Sequence, residues 1–331
     1  MTTSAAAPAN AEHHVGTAVA LKSRGQRAAL GFCRFVDTHL YRFEPRRSAD
    51  FPALEDVKPL GDLLLILLAL ERPSLPPAQR IFSDWAKHAS ARLWDFVESY
   101  AESIPWKAIR TVVAGRPHVA IPLMVVPLIE TLTRKESAFH NEVRQTFAEA
   151  LHCTRGVSPD LSFAADVAGM ADCTETACQW LRDEIAILRP DAPPTSSALY
   201  AITHAIFYAA KMGHRPLPLP EADRSSLASR LVRFAEDRLA MGDYDLGSEL
   251  LLSARWACAE EPAEISSACE TLAAVAERHG SIPPHPKVLR SSADLFENRY
   301  HPTLAALAAL AEYSRADEIP KEKLYEPATY H

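Results

Sequence analysis

The chain has 331 residues, 48% of them hydrophobic and 23% charged, and 42 Asp and Glu set against 35 Lys and Arg give a formal net charge of -7. This composition excludes disordered, fibrous and collagen-like chains, and at this length about 75% of the unfolded surface can be buried without disulfide or metal staples. Eleven glycines against 25 prolines leave too few turn residues for a many-stranded sheet, so the chain reads as all-α.

The acidic balance and the lack of a basic run interleaved with aromatics argue against nucleic-acid binding, and the short cluster Arg42, Arg46 and Arg47 reads as solvated surface. Cys33, Cys153, Cys173, Cys178, Cys258 and Cys269 contain no CxxC pair. Reduced thiols in a cytoplasm are the expectation.

In chain order, residues 1–16 lack a basic start and an apolar stretch and are expected to form a disordered lead-in rather than a secretory signal. The His13-His14 pair falls in that lead-in, without the rigid surroundings a metal site needs. Periodicity and caps then predict helices over 17–42, 59–71, 76–102, 105–114, 119–134, 136–151, 159–170, 174–189, 195–212, 221–241, 244–259, 263–279, 287–299 and 302–315. Many end at Pro or Gly after a basic last turn, as in Glu71-Arg72-Pro73, which suits the negative end of a helix dipole. The longest apolar runs, Leu63–Leu70 and Ala120–Ile129, are too short to span a bilayer, so no membrane association is expected. Short connections favour helical hairpins in a curved α/α solenoid or toroid-like array. One domain is expected over 17–315, bent at the proline-rich 190–194, with a C-terminal tail at 316–331.

A Gly-rich phosphate loop, a dinucleotide fingerprint, HExxH and GxSxG are all missing, and a single ExxH, Glu149-Ala150-Leu151-His152, stands where a di-iron bundle needs two, so the common nucleotide, zinc-protease, hydrolase and di-iron readings have no anchor. Three stretches stand out. In Ser197–Gly213, Tyr200, His204 and Tyr208 recur every four residues and share one helix face. A plain core hydrogen bond to a carbonyl or a Tyr hydroxyl is the simpler reading of His204, and a catalytic role is the sharper one. In Asn298–Leu304, Pro302 fits a first helical turn and places His301 at the N-terminal edge. The positive end of the dipole is expected to keep His301 neutral, as a base, a ligand or a cap. In Asp243–Glu249, Glu249 stands at an apolar boundary as an acid, a ligand or a partner of Arg255. His214 reads as a loop residue.

These observations select His204, His301, Tyr208 and Glu249 as catalytic candidates, with Tyr200, Asp245, Tyr300 and Trp256 contacting substrate. Acid–base chemistry by His and Tyr without a cofactor is preferred, because no characteristic ligand spacing is present. A single metal ion would be held by His204, His301 and Glu249, and a haem would take one histidine as axial ligand without a CxxCH attachment.

The segments Thr203-His204-Ala205-Ile206-Phe207-Tyr208 before Gly213, Asp245-Leu246 before Glu249-Leu250-Leu251, and Tyr300-His301 before Thr303-Leu304 resemble a family of uncharacterised all-helical proteins from actinobacterial natural-product gene clusters. Nine lysines among 35 basic residues agree with a GC-rich source. Relatives of that kind are acidic and aromatic after His-x-x-Phe-Tyr, whereas this chain has Ala209-Ala210-Lys211-Met212, so no polar role passes to those positions. The resemblance implies tailoring of a small molecule or peptide in specialised metabolism, and together with the cysteine usage and the polar residues on apolar helices the expectation is a cytoplasmic tailoring enzyme with a concave helical pocket. Two rivals stand beside it: a non-enzymatic scaffold binding a peptide or protein with the same residues as anchors, and a haem or non-haem metal-dependent oxidative enzyme.

Overall fold

The computed structural model describes residues 9–45, 54–152, 158–188, 193–257, 265–283 and 296–315. Among them are thirteen α-helices, three 3-10 turns and no strand, so the protein is all-α. The first helix, α1 (Ala9–Thr38), begins inside the stretch expected to be a lead-in, where residues 9–15 contain neither Gly nor Pro. Next come α2 (Leu54–Leu70), which starts five residues before its internal Pro59, then α3 (Ile81–Glu102) and α4 (Trp106–Val113). The helix expected over 119–134 divides into a 3-10 segment, Pro117–Met124, and α5 (Val125–Thr133). Pro122 and Pro127 lack the N–H that a continuous α ladder needs. Then follow α6 (His140–His152), α7 (Pro159–Val167), α8 (Thr174–Ile187), α9 (Ser196–Ala209), α10 (Glu221–Ala240), α11 (Tyr244–Ala257), α12 (Ile265–His279) and α13 (Tyr300–Arg315). The tail at 316–331, Cys153, Cys258, Arg46, Arg47, most of the bend at 190–194 and residues 287–295 of the expected helix 287–299 lie outside the described residues. Cys33, Cys173, Cys178 and Cys269 are buried, and Cys33, Cys173 and Cys178 stand outside any disulfide. No helix among the described residues is long and apolar enough to cross a membrane.

Helix α13 is the axis of the packing. It contacts α1, α2, α11 and α12, and every residue from Thr303 to Tyr313 is buried. Five alanines on it, at 305, 306, 308, 309 and 311, let neighbours approach from all sides. Contacts between α13 and both α1 and α2 tie the two ends of the chain together, which an open solenoid with neighbour-only contacts does not do. On the other side α10 and α11 pack closely. A Cβ on Gly247 would lie 2.9 Å from Leu239 Cγ, so glycine sets that approach.

Because α13 has no solvent face, its charges are satisfied internally. Arg315 pairs with Glu312 at 2.7 Å and donates to the Leu70 carbonyl at the end of α2. Arg72 lies 3.6 Å from Glu312 and donates to the Met212 carbonyl. After α9 the backbone turns left-handed through Lys211, Met212 and Gly213, at φ 46, 52 and 79. A Cβ on Gly213 would lie 2.6 Å from Arg72 Nη2, so only glycine fits.

His214, expected as a plain loop residue, is packed into this junction. Its Nε2 lies 3.0 Å from Arg72 Nη1 and 2.9 Å from the Leu68 carbonyl. Burial and the Arg72 charge push the imidazole down from 6.5 to about 3, against the pull of the carbonyl, with Arg134 and Arg315 adding to the fall. The unfolded chain therefore binds a proton near pH 6.5 that the folded protein refuses until about pH 3, and stability falls as pH drops through that window. Urea denaturation at about pH 7.5 and about pH 5 should show wild type losing stability more steeply than His214→Gln, by up to about 1.4 kcal/mol per pH unit. Equal slopes would contradict this account.

Candidate functional site

A cavity of about 380 Å³ opens between α2, α9, α11 and α13. Three of the four helices supply polar groups one turn apart. On α2 these are Lys58 and Asp62, on α9 Tyr200, His204 and Tyr208, on α11 Asp245 and Glu249, and the first turn of α13 adds His301. Spacing by four keeps each set on one face. The remaining walls are largely apolar, with Leu65, Ile66, Phe207, Met212, Leu252 and Leu304.

His301 is the hub. Its Nδ1 lies 3.0 Å from Asp62 Oδ2, and its Nε2 lies 3.3 Å from Glu249 Oε1 and 3.6 Å from Asp245 Oδ1. Outer groups hold each carboxylate. Tyr200 donates to Asp245 Oδ2 at 2.7 Å, Thr203 donates to Glu249 Oε2 at 2.7 Å, and Lys58 donates to Asp62 Oδ2 at 2.6 Å. Asp245 Oδ1 is buried without a hydrogen-bond partner among the described residues. Glu249 is 2% exposed.

Burial works against a charged His301, yet the Asp245 charge and the hydrogen bonds to Asp62 and Glu249 raise it well above its ordinary range. The neutral imidazole expected from the helix dipole is thereby overturned. The dipole amounts to about half a charge, whereas three carboxylates face this ring within 3.6 Å. Burial likewise opposes ionisation of Glu249 and Asp62, but hydrogen bonding and charge from His301 hold both below the usual carboxylate range. Asp245 ends above it. Burial lifts that carboxyl, His301 pulls it back, and neighbouring Glu249 adds to the rise.

Six of the eight residues selected from the sequence line the cavity: His204, His301, Tyr208, Glu249, Tyr200 and Asp245. Glu249 bonds to Thr203 and His301 rather than pairing with Arg255, since six residues along a helix leads to its far side. The His204 side chain is 45% exposed, with Nε2 4.0 Å from Glu249 Oε2. It faces the cavity instead of bonding into the core. Tyr208 lines the wall through its ring, stacked on Phe163 at 4.4 Å, while its hydroxyl donates to Asp160 on α7 at 2.7 Å. Burial and the Asp160 charge put that phenol well above its ordinary range.

Trp256 and Tyr300, expected to touch substrate, do not line the cavity. Trp256 is buried behind Phe207, with ring centroids 5.2 Å apart, because seven residues past Glu249 is about 10.5 Å further along the helix. Tyr300 packs its ring on Phe43 and Phe296 outside the cavity lining, and its hydroxyl donates to Asp62 Oδ2 at 3.4 Å from behind. Sequence reasoning missed Asp62, Lys58 and Thr203. The signal for Asp62 and Lys58 is an opposite-charge pair four residues apart at the mouth of an apolar run. Thr203, wholly buried, gives no signal beyond a lone hydroxyl in an apolar stripe.

Residues 29–311 match the model of a family described as "Domain of unknown function (DUF6895)". No curated protein and no solved structure matches the chain.

Thr203→Val removes the donor to a buried carboxylate oxygen, so it should lower stability by about 1–3 kcal/mol in urea denaturation, with Thr203→Ser close to wild type. A neutral Thr203→Val would mean that this hydrogen bond does not hold Glu249.

Proposed function

The chain belongs to the DUF6895 family, and from its cavity we propose that it is an enzyme acting on a small, mainly apolar molecule with one polar end. The observation that carries this reading is a charged cluster of three carboxylates and an imidazole set into an otherwise largely apolar cavity. Such convergence of shifted titratable groups on one pocket is how catalytic sites are built. At about 380 Å³ the space sits at the small end of ligand pockets, which run to about 1,000 Å³, and this favours a small molecule over a peptide. Apolar walls take the body of the substrate, and the cluster takes its polar end.

His204 is the proton carrier. Its ring is half exposed in the cavity and is not tied into the core, so it can reach a bound molecule. Tyr200 and Thr203 fix the carboxylates that orient the reacting end. The resemblance of the His204 and His301 segments to proteins of natural-product clusters supports a tailoring step in specialised metabolism. Buried thiols outside any disulfide at Cys33, Cys173 and Cys178 support a reducing compartment, the cytoplasm.

The test is untargeted mass spectrometry of a small-molecule cell extract incubated with purified protein. Wild type should deplete at least one component and form a product, and His204→Ala should lower that rate at least about 100-fold, the scale of general acid–base catalysis, without a change in melting temperature. A component retained by the protein but returned unchanged would make the cavity a binding site and the protein a scaffold.

A further inference from the structure

We infer that Asp245 Oδ1, Glu249 Oε1 and His301 Nε2 together hold one divalent first-row metal ion. These three donor atoms all lie within 4.8 Å of one another. Nε2 stands 3.3 Å from the Glu249 oxygen and 3.6 Å from the Asp245 oxygen. Ligands about 2.1 Å from a shared ion sit roughly 3.0–3.4 Å apart at octahedral or tetrahedral angles, so small side-chain movements complete the site.

The other atom of each ligand is already engaged. Tyr200 donates to Asp245 Oδ2, Thr203 donates to Glu249 Oε2, and Nδ1 of His301 is paired with Asp62. That arrangement turns the second atom of each residue toward a common point, where Glu249 Oε1 and His301 Nε2 now bond to each other at 3.3 Å and an ion would replace that contact, and a carboxylate on the far nitrogen of a ligating histidine is a recurrent orienting device. A second observation is independent of the clustering. Asp245 Oδ1 is buried with no hydrogen-bond partner among the described residues and meets His301 Nε2 only at 3.6 Å, a lone pair that a cation at coordination distance would satisfy.

Charge agrees with the assignment. Lys58 offsets Asp62, which leaves Asp245 and Glu249 to balance a dication that displaces the Nε2 proton of His301 on binding. Two carboxylate oxygens and one imidazole, without thiolate, suit Mn²⁺, Fe²⁺ or Zn²⁺. Three protein ligands leave coordination positions for the polar end of a substrate, with His204 beside them.

The inference deepens the reading of this cavity as an active site, and the two can fail separately. Full-length protein stripped with chelator is titrated calorimetrically with MnCl₂ and with ZnCl₂. One equivalent should bind, and pulsed electron paramagnetic resonance of the Mn²⁺ form should show coupling to a nitrogen nucleus that disappears in His301→Gln. Asp245→Asn and Glu249→Gln, both close in shape to wild type, should weaken binding at least tenfold, and Thr203→Val about 10- to 100-fold. Circular dichroism and melting temperature check that each variant is folded. Failure of both ions to bind one to one overturns the assignment, as does unchanged affinity in folded Asp245→Asn and Glu249→Gln, or a nitrogen coupling that survives His301→Gln. An ion bound while no extract component is depleted keeps the metal and removes the enzyme; depletion by a protein that binds no ion does the reverse.

Discussion

A helix buried on every side must find partners inside the protein for whatever charge it carries, and α13 carries Glu312 and Arg315 at its end. The solution is a shared junction. Arg315 reaches the Leu70 carbonyl, where α2 leaves a backbone acceptor free, and Glu312 meets Arg72 just beyond it. Arg72 extends the junction to the left-handed turn after α9 through the Met212 carbonyl. Three helix ends are thereby locked together. The opposite end of α13 then presents His301 against α2 and α11 from a rigid rod rather than a loop.

The cavity is made by repeating one device. A helix turn brings residues four apart onto the same face, and three of the four lining helices use that spacing to place polar groups at one point. The apolar residues between them enter the core, as Leu199, Ile202 and Ile206 do on α9 and Leu246 and Leu250 on α11. Core packing thus holds the polar groups in register. Opposing burial and ionic contacts at His301, Asp62 and Glu249 resolve in favour of charge because each group has a partner close by.

Most of the helical frame is legible in the sequence, since amphipathic spacing and proline stops are local properties. The motif around Tyr200, His204 and Tyr208 is legible for the same reason. Convergence is not. Asp62 is separated from His301 by more than two hundred residues, and nothing along the chain announces that α2 and α13 touch. Its charge reads from sequence as the edge of an apolar run. The His301 charge was misjudged because a dipole can be read from a helix boundary, whereas the three carboxylates facing the ring come from α2 and α11. Tyr300 and Trp256 show the limit of proximity in sequence to a site residue: rotation about the helix turns one away from the cavity, and rise along it carries the other past.

The central place of α13 also orders events during synthesis. The ribosome delivers this helix after α1, α2, α11 and α12, the elements that pack on it. Until then those helices have no shared partner for the faces that will meet it, and Arg72 has no Glu312. Cooperative folding must therefore wait for late contacts of very long sequence separation, which slows the search and leaves apolar surface open to association in the nascent chain. The longer the interval before the central helix emerges, the longer that surface stays uncovered.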